Sequence, residues 1–501
     1  MAQPGLAPRI GTLLGESLEA HASRTAFTWA EGVSTFGEIA TASERLSARL
    51  ERLCAGGLAG ERVAVIAPNV PAIVVAMLAA WNAGAVVVPL SARLREYELA
   101  AILADAEASA VVSVDSYRGY SFAELLRRLP PQLPALRGCV LVAPTGEVDD
   151  ELACDARERP EPLGAEIGAI LYTSGTTGKP KGALVQHERA IGAARELGRL
   201  LELTTRDTCV QVVPISHAFG FECALTSLVA GVRSVLVDST FTPGPMLRAI
   251  RDEHATIVHG SPALFLTLLK AAPEGLANVR AGFVGGGPSP PGMIQRLDES
   301  GTRILNLYGM TEIGAATCCR LNDPPDVRYE TAGRPLPNYE LRVADDGELQ
   351  VRGPYVTPGY FRNPDQTAAA FTDAWFRTGD IGTLDEDGRL RITGRAKEVV
   401  HVGGFSVFPA EVEAFLLTHP DVERVVVVGV EHEKLGEALH AFVVRRSGTN
   451  VAAADLLRYA RGQIADYKLP YAMTFVEDLP TLASGKPDRL ALARTAAENP
   501  V

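Results

Sequence analysis

The sequence predicts an α/β protein: a large N-terminal domain of twice-wound, largely parallel sheets with a β-barrel-like unit, followed by a small C-terminal α+β domain. Three observations predict it. Between Arg62 and Val114 short apolar runs alternate with segments of helical length, a pattern that calls for right-handed crossovers and parallel pairing. The same alternation begins again after the proline-rich stretch Pro130 to Pro134 and the acidic stretch Asp149 to Glu161. Beyond Asn322 the chain changes to short strands around Asp-Gly pairs at 346–347 and 387–388, which suit hairpins.

Taken in order, Val63 to Ala67 reads as a strand, Ala72 to Ala83 as a helix, and Ala85 to Pro89 as a second strand. Glu96 to Ala106 is helical and Ala110 to Val114 is again a strand. The second winding places strands at Cys209 to Val213, Ser234 to Val237, Thr256 to His259, Ala281 to Val284 and Arg303 to Leu307. Tyr339 to Val343, Glu348 to Arg352 and Leu390 to Thr393 form the compact β unit. Near Arg395 to Lys397 a small unit begins, with helices at Pro409 to Thr418 and Ala453 to Ile464 and strands at Arg424 to Val430 and His440 to Arg445. The boundary is expected at 395/396.

One stretch organises the chemistry. Tyr172-Thr-Ser-Gly-Thr-Thr-Gly-Lys-Pro-Lys-Gly182 follows the apolar strand Ile167 to Leu171 and precedes a helix starting near His187. Glycines let backbone approach an anion, hydroxyls add donors, and two lysines add charge. The spacing differs from G-x-x-x-x-G-K-[ST], because Gly175 and Gly178 stand too close and Pro180 follows Lys179.

Composition narrows the alternatives. The chain has 501 residues, 47% of them hydrophobic, and a net charge of −12, which opposes general nucleic-acid binding while leaving room for a basic pocket. The seven cysteines are scattered without a C-x-x-C pattern and suit a reducing cytosol, so a cytoplasmic location is expected. The most apolar region, Val63 to Leu90, is interrupted by Pro68, Asn69, Pro71, Asn82 and Pro89 and does not read as a membrane span. His432-Glu-Lys-Leu-Gly436 lacks the second histidine of a zinc-protease motif, and no G-x-S-x-G elbow occurs.

The sequence resembles the adenylate-forming enzymes, which include acyl- and aryl-CoA synthetases, peptide-synthetase adenylation domains and firefly-type luciferases. Besides the loop above, the likeness rests on Pro214-Ile-Ser-His217, Gly285-Gly-Gly287, Tyr308-Gly-Met-Thr-Glu312, Trp375-Phe-Arg-Thr-Gly-Asp380, Gly394-Arg-Ala-Lys-Glu398, Gly403-Gly404 and Ser484-Gly-Lys486, all in the family's order. The resemblance implies an AMP-forming acid-thiol ligase that uses ATP, Mg²⁺ and coenzyme A. Thr173, Ser174, Gly175, Thr176, Thr177, Gly178 and Lys181 would hold the β- and γ-phosphates. Tyr308 would stack on adenine and Asn306 would meet its amine, with Gly285, Gly286, Gly287 and Gly309 giving backbone access. Asp380, assisted by Arg395, would accept from the ribose hydroxyls; Thr311 would meet the α-phosphate and Glu312 would hold the metal. Lys486 would be the catalytic lysine and Lys397 the hinge of a mobile C-terminal domain. Gly403 and Gly404 would line the thiol tunnel, with His217 as a gate. Pro487, in place of the usual branched aliphatic, and Leu482-Ala483, in place of a polar run, depart from the family around that lysine.

The acyl pocket is expected from His217, Phe219, Phe221, Val284, Gly309, Met310, Gly314 and Ala315, a set that favours an aryl or medium-chain body. The family's amino-acid activators carry an aspartate where Ala218 and Phe219 stand here. The acceptor is expected to be CoA, with a carrier-protein pantetheine as the alternative; a non-catalytic nucleotide-binding homologue is a third reading, opposed by the presence of Glu312, Asp380 and Lys486.

Overall fold

The computed structural model describes residues 9–173, 180–238, 242–287, 289–290, 292–395, 399–480 and 487–498, with Arg395 as backbone only. Arg62–Ala67 is buried at every position, as its continuous apolar run requires of a strand covered on both faces. It lies at the centre of a seven-stranded sheet. Val86–Ser91 and Ala108–Val114 flank it in parallel. Ile167–Thr173 pairs parallel with Val86–Ser91 and Gly138–Val142 with Ala108–Val114, while Lys181–Gln186 and Val148–Ala153 close the edges antiparallel. Helix Pro71–Asn82 has proline in its first turn and is buried from Pro71 to Trp81, which is why its sequence is apolar all round.

The second winding is a nine-stranded sheet. Ala281–Val284 and Arg303–Met310 pair in parallel within it, and Gly314–Cys318 turns back antiparallel beside the latter. The N-terminal strand Thr25–Trp29, which lies upstream of the predicted alternation, joins this sheet parallel to Arg233–Leu236. The beginning of the chain therefore ties the two windings together. Strand carboxyl ends gather Gly285 to Gly287 and Tyr308 to Glu312 at one rim, the usual side for ligands in such sheets.

The compact β unit is a five-stranded antiparallel sheet containing Glu340–Val343, Glu348–Arg352 and Trp375–Leu384, with Leu390–Arg395 beside the last. Its Asp-Gly turns carry Gly347 at φ +81° and Gly388 at φ +72°, backbone values that favour glycine. The final sheet contains Val400–Val402, Phe405–Val407, Val422–His432, Gly436–Arg445 and Ala472–Phe475. Helix Ala453–Ala460 ends earlier than its sequence predicts: Arg461 is already extended and Gly462 takes φ +79°, turning the chain toward the first sheet. No described helix is long and apolar enough to cross a membrane.

Candidate active site

A cleft of about 1650 Å³ lies where these units meet. One wall of the cleft is built on strand Arg303–Met310. Gly309 admits no side chain, because a Cβ there would stand 2.1 Å from the Gly314 carbonyl oxygen, and the strand pair bulges at this point. Tyr308 donates from its hydroxyl to Asp380 Oδ2 at 2.8 Å, and Asp380 is only 5% exposed. Asp380 lies directly across the ladder from Arg395. A carboxylate offers several lone-pair acceptor sites, the chemistry that a diol requires. Asn306 also lines the cleft and spends one amide proton on the Thr331 carbonyl oxygen at 2.9 Å.

Glu312 and Lys181 meet around Tyr360. Its hydroxyl donates to Glu312 Oε1 at 2.8 Å, and Lys181 Nζ stands 5.5 Å from its ring centre. Burial, aided by the Glu312 carboxylate, pushes the Tyr360 phenol far up, so it acts as a donor. Lys181 is fixed because it opens strand Lys181–Gln186, directly opposite Thr173. The strands Ile167–Thr173 and Lys181–Gln186 pair antiparallel, and the second of them intervenes before helix His187–Leu200. Ser174, Gly175, Thr176, Thr177, Gly178, Lys397 and Lys486 lie outside the described residues, as does the side chain of Arg395.

Among the described residues no group of three His, Cys, Asp or Glu side chains is arranged to hold a metal. Glu312, 6% exposed beside Thr311, offers one hard oxygen ligand. That fits Mg²⁺, which commonly takes one or two carboxylates and completes its shell with water and phosphate.

Of the residues expected in the acyl pocket, His217, Phe219, Gly309, Met310, Gly314 and Ala315 line the cleft. Phe221 and Val284 do not. Phe221 is 1% exposed and packs edge-on to Trp81 at 6.2 Å, on the opposite face of helix Ala218–Val229 from Phe219. Val284 packs into the core with Val258 and Met293, since strand alternation turns Gly285 to the cleft instead. The wall that replaces them includes Glu222, the one charge in an otherwise apolar helix. Its carboxyl is pushed up by burial, against the opposing pull of Arg189.

His217 Nε2 is buried without a hydrogen-bond partner. Burial, reinforced by the Lys468 and Arg93 charges, pushes its imidazole down to about 4, so it is neutral near pH 7. Phe405 approaches it edge-on at 5.5 Å and stacks on Tyr467 at 4.2 Å. The preceding Gly403 and Gly404 take φ +59° and +91°. A Cβ on Gly404 would stand 2.4 Å from Ser261 Oγ, so only glycine lets this turn pack so closely.

Charged pairs fasten the C-terminal unit to the N-terminal one. Lys468 Nζ reaches Glu98 Oε1 at 2.6 Å and Glu411 Oε2 at 2.8 Å. The Ala465 amide donates to Glu98 Oε2 at 2.7 Å, and Arg93 meets Asp466 at 2.8 Å. Burial works against the Lys468 ammonium, but Glu411 and Glu98 outweigh it and hold its pKa well above that of a free lysine. Tyr360, Glu98, Glu411 and Lys468 are absent from the predicted site because each is defined by a partner remote in the chain.

Residues 14–361 match the family model described as AMP-binding enzyme, and residues 411–486 match the AMP-binding enzyme C-terminal domain. The chain belongs to the AMP-binding enzyme family. This AMP-binding enzyme is 33% identical over 474 residues to a feruloyl-CoA synthase of an Amycolatopsis species, covering 90% of this chain and 93% of that one. It is also 33% identical over 476 residues to the 2-succinylbenzoate–CoA ligase of Geobacillus kaustophilus, covering 92% of each. Among solved structures, the amide bond synthetase McbA from Marinactinospora thermotolerans superposes with a TM-score of 0.85 at 28% identity, covering 98% of this chain and all of that one.

Proposed function

We propose that this chain is an ATP-dependent carboxylate:CoA ligase that activates an aryl or medium-chain acid. The observation that carries the reading is the meeting, in one cleft, of Asp380 with Tyr308, Glu312 with Tyr360, the acyl wall, and the Gly403-Gly404 turn. A carboxylate oxygen attacks the α-phosphorus of ATP as the bond to pyrophosphate breaks. The CoA sulfur then attacks the acyl carbon, and the bond to AMP breaks.

The first step brings one anion against another, so it needs fixed positive charge and donors. Lys181 serves the distal phosphates from its strand, with Ser174 to Gly178 completing the cradle. Thr311 donates to the α-phosphate, and Lys486 supplies a mobile ammonium between the attacking oxygen and phosphorus. Asp380 and Arg395 fix the ribose, and Tyr308, held by Asp380, presents its ring to adenine. Glu312 would hold Mg²⁺, which would neutralise phosphate charge. Neutral His217 stands between the acyl wall and Phe405, where it takes no proton at neutral pH and acts as a gate.

Residues 1–395 form the adenylating domain and 396–501 a mobile domain that turns about Lys397. The arrangement described here, with Gly404 against Ser261, is the one suited to thiol entry. The test is pyrophosphate release with Mg²⁺-ATP and a panel of benzoates, cinnamates and C4 to C12 acids, with and without CoA. Acid-dependent release accelerated by CoA is expected. Release indifferent to CoA, or none with any acid, overturns the assignment.

A further inference from the structure

Glu312 and Lys181, assigned above to the metal and the distal phosphates, are braced by one short segment that lies outside every motif of the sequence. Thr357, 2% exposed, donates its amide to the Glu312 carbonyl oxygen at 2.6 Å, and its hydroxyl lies 2.8 Å from the Leu184 carbonyl oxygen. The chain then runs antiparallel beside strand Lys181–Gln186. The Leu184 amide donates to the Gly359 carbonyl oxygen at 3.0 Å, the Phe361 amide donates to the Gly182 carbonyl oxygen at 2.7 Å, and Tyr360 bridges to Ala183. From this register Tyr360 lines the cleft. Its hydroxyl donates to Glu312 Oε1 at 2.8 Å, and its ring centre lies 5.5 Å from Lys181 Nζ. Arg189, on the helix that follows the same strand, donates to the carbonyl oxygens of Thr311 and Glu312 at 2.6 and 3.3 Å.

These contacts divide the work. Thr357 and Arg189 hold the backbone of Glu312, and Tyr360 holds its carboxylate while being anchored to the strand that Lys181 opens. Mg²⁺ demands near-ideal octahedral geometry, so a carboxylate serves it well only when its rotation is fixed. A glutamate side chain is flexible, and a hydrogen bond from a neighbour is what fixes it. We infer that Tyr360 is a positioning residue for the adenylation step: it orients Glu312 for the metal and keeps Lys181 in register with it, so that metal and lysine meet the phosphates as one unit. This rests on the ligase reading above and adds to it the residue that orients the metal ligand.

The experiment measures ATP binding to the full-length protein by titration calorimetry, once with Mg²⁺ and once with EDTA, and requires no knowledge of the acid. In the parent, Mg²⁺ should tighten ATP binding. In Tyr360→Phe, which keeps the ring beside Lys181, that tightening should shrink by about 10-fold or more, with metal-free affinity within about twofold of the parent. In a Glu312→Gln background, where the metal ligand is already lost, adding Tyr360→Phe should change nothing further, because the two groups act through one another. A purely structural tyrosine would instead weaken binding equally with and without Mg²⁺. That equal loss, additive effects of the two substitutions, undiminished tightening in Tyr360→Phe, or a parent indifferent to Mg²⁺ overturns the inference and leaves the ligase intact. Absence of acid-dependent pyrophosphate release from the parent removes the ligase reading, and the binding titration does not depend on that assay.

Discussion

The two walls of the cleft are built differently. On the nucleotide side Tyr308 reaches Asp380 and Tyr360 reaches Glu312, all within residues 1–395. On the proposed thiol side Lys468 joins Glu98 as well as Glu411 of its own unit, and Arg93 joins Asp466, so the Glu98 and Arg93 pairs span the N-terminal and C-terminal parts of the chain. The first set survives any reorientation of the C-terminal unit. In the second, Lys468 with Glu98 and Arg93 with Asp466 depend on the packing described here. Buried charges gain from pairing and lose heavily when one partner leaves, so in the proposed mechanism the cross-unit pairs would act as a latch on the closed arrangement, while the nucleotide wall would stay fixed.

Substitutions that attack one wall and spare the other break or sharpen this contrast. The largest effect is expected from Lys486→Ala: adenylation measured by pyrophosphate exchange should fall by about 10²- to 10³-fold or more, with thioester formation from supplied acyl adenylate preserved. Gly404→Val should do the reverse, because its Cβ would collide with Ser261; thioester yield should drop by about 10²-fold while exchange persists. Asp380→Ala should raise the KM for ATP by roughly 10- to 100-fold, the cost of losing hydrogen bonds to a charged acceptor. The smallest effect concerns pH. His217 titrates near 6.5 when unfolded and at about 4 when folded, so the unfolded chain binds the proton first as pH falls. Its contribution is therefore fully present above pH 6.5 and lost toward pH 4, and the thermal midpoint should fall across that window.

The same contrast governs what the amino-acid order reveals. Arg62–Ala67 and Ala281–Val284 are legible because continuous apolar runs between helical segments have few other uses. Tyr308, Glu312 and Asp380 are legible because each sits in a short segment resembling an adenylate-forming motif. Lys468 and Glu98 stand 370 residues apart in the chain, and no local pattern marks either. Glu222 carried a usable signal, a lone acid in a helix apolar on all faces, since such a charge is buried and in need of a partner. Phe221 and Val284 fail for the opposite reason: their residue types suit an acyl pocket, but helix and strand periodicity turn them into the core.

The most direct test of the two-wall account is Lys468→Met, assayed separately in each half-reaction. Leaving Glu98 and Glu411 buried together without their cation should cost the closed packing about 3–5 kcal/mol. The account predicts pyrophosphate exchange within about twofold of the parent, and thioester formation from supplied acyl adenylate reduced by about 10²-fold or more. Equal loss of both half-reactions, or unimpaired thioester formation, would contradict it.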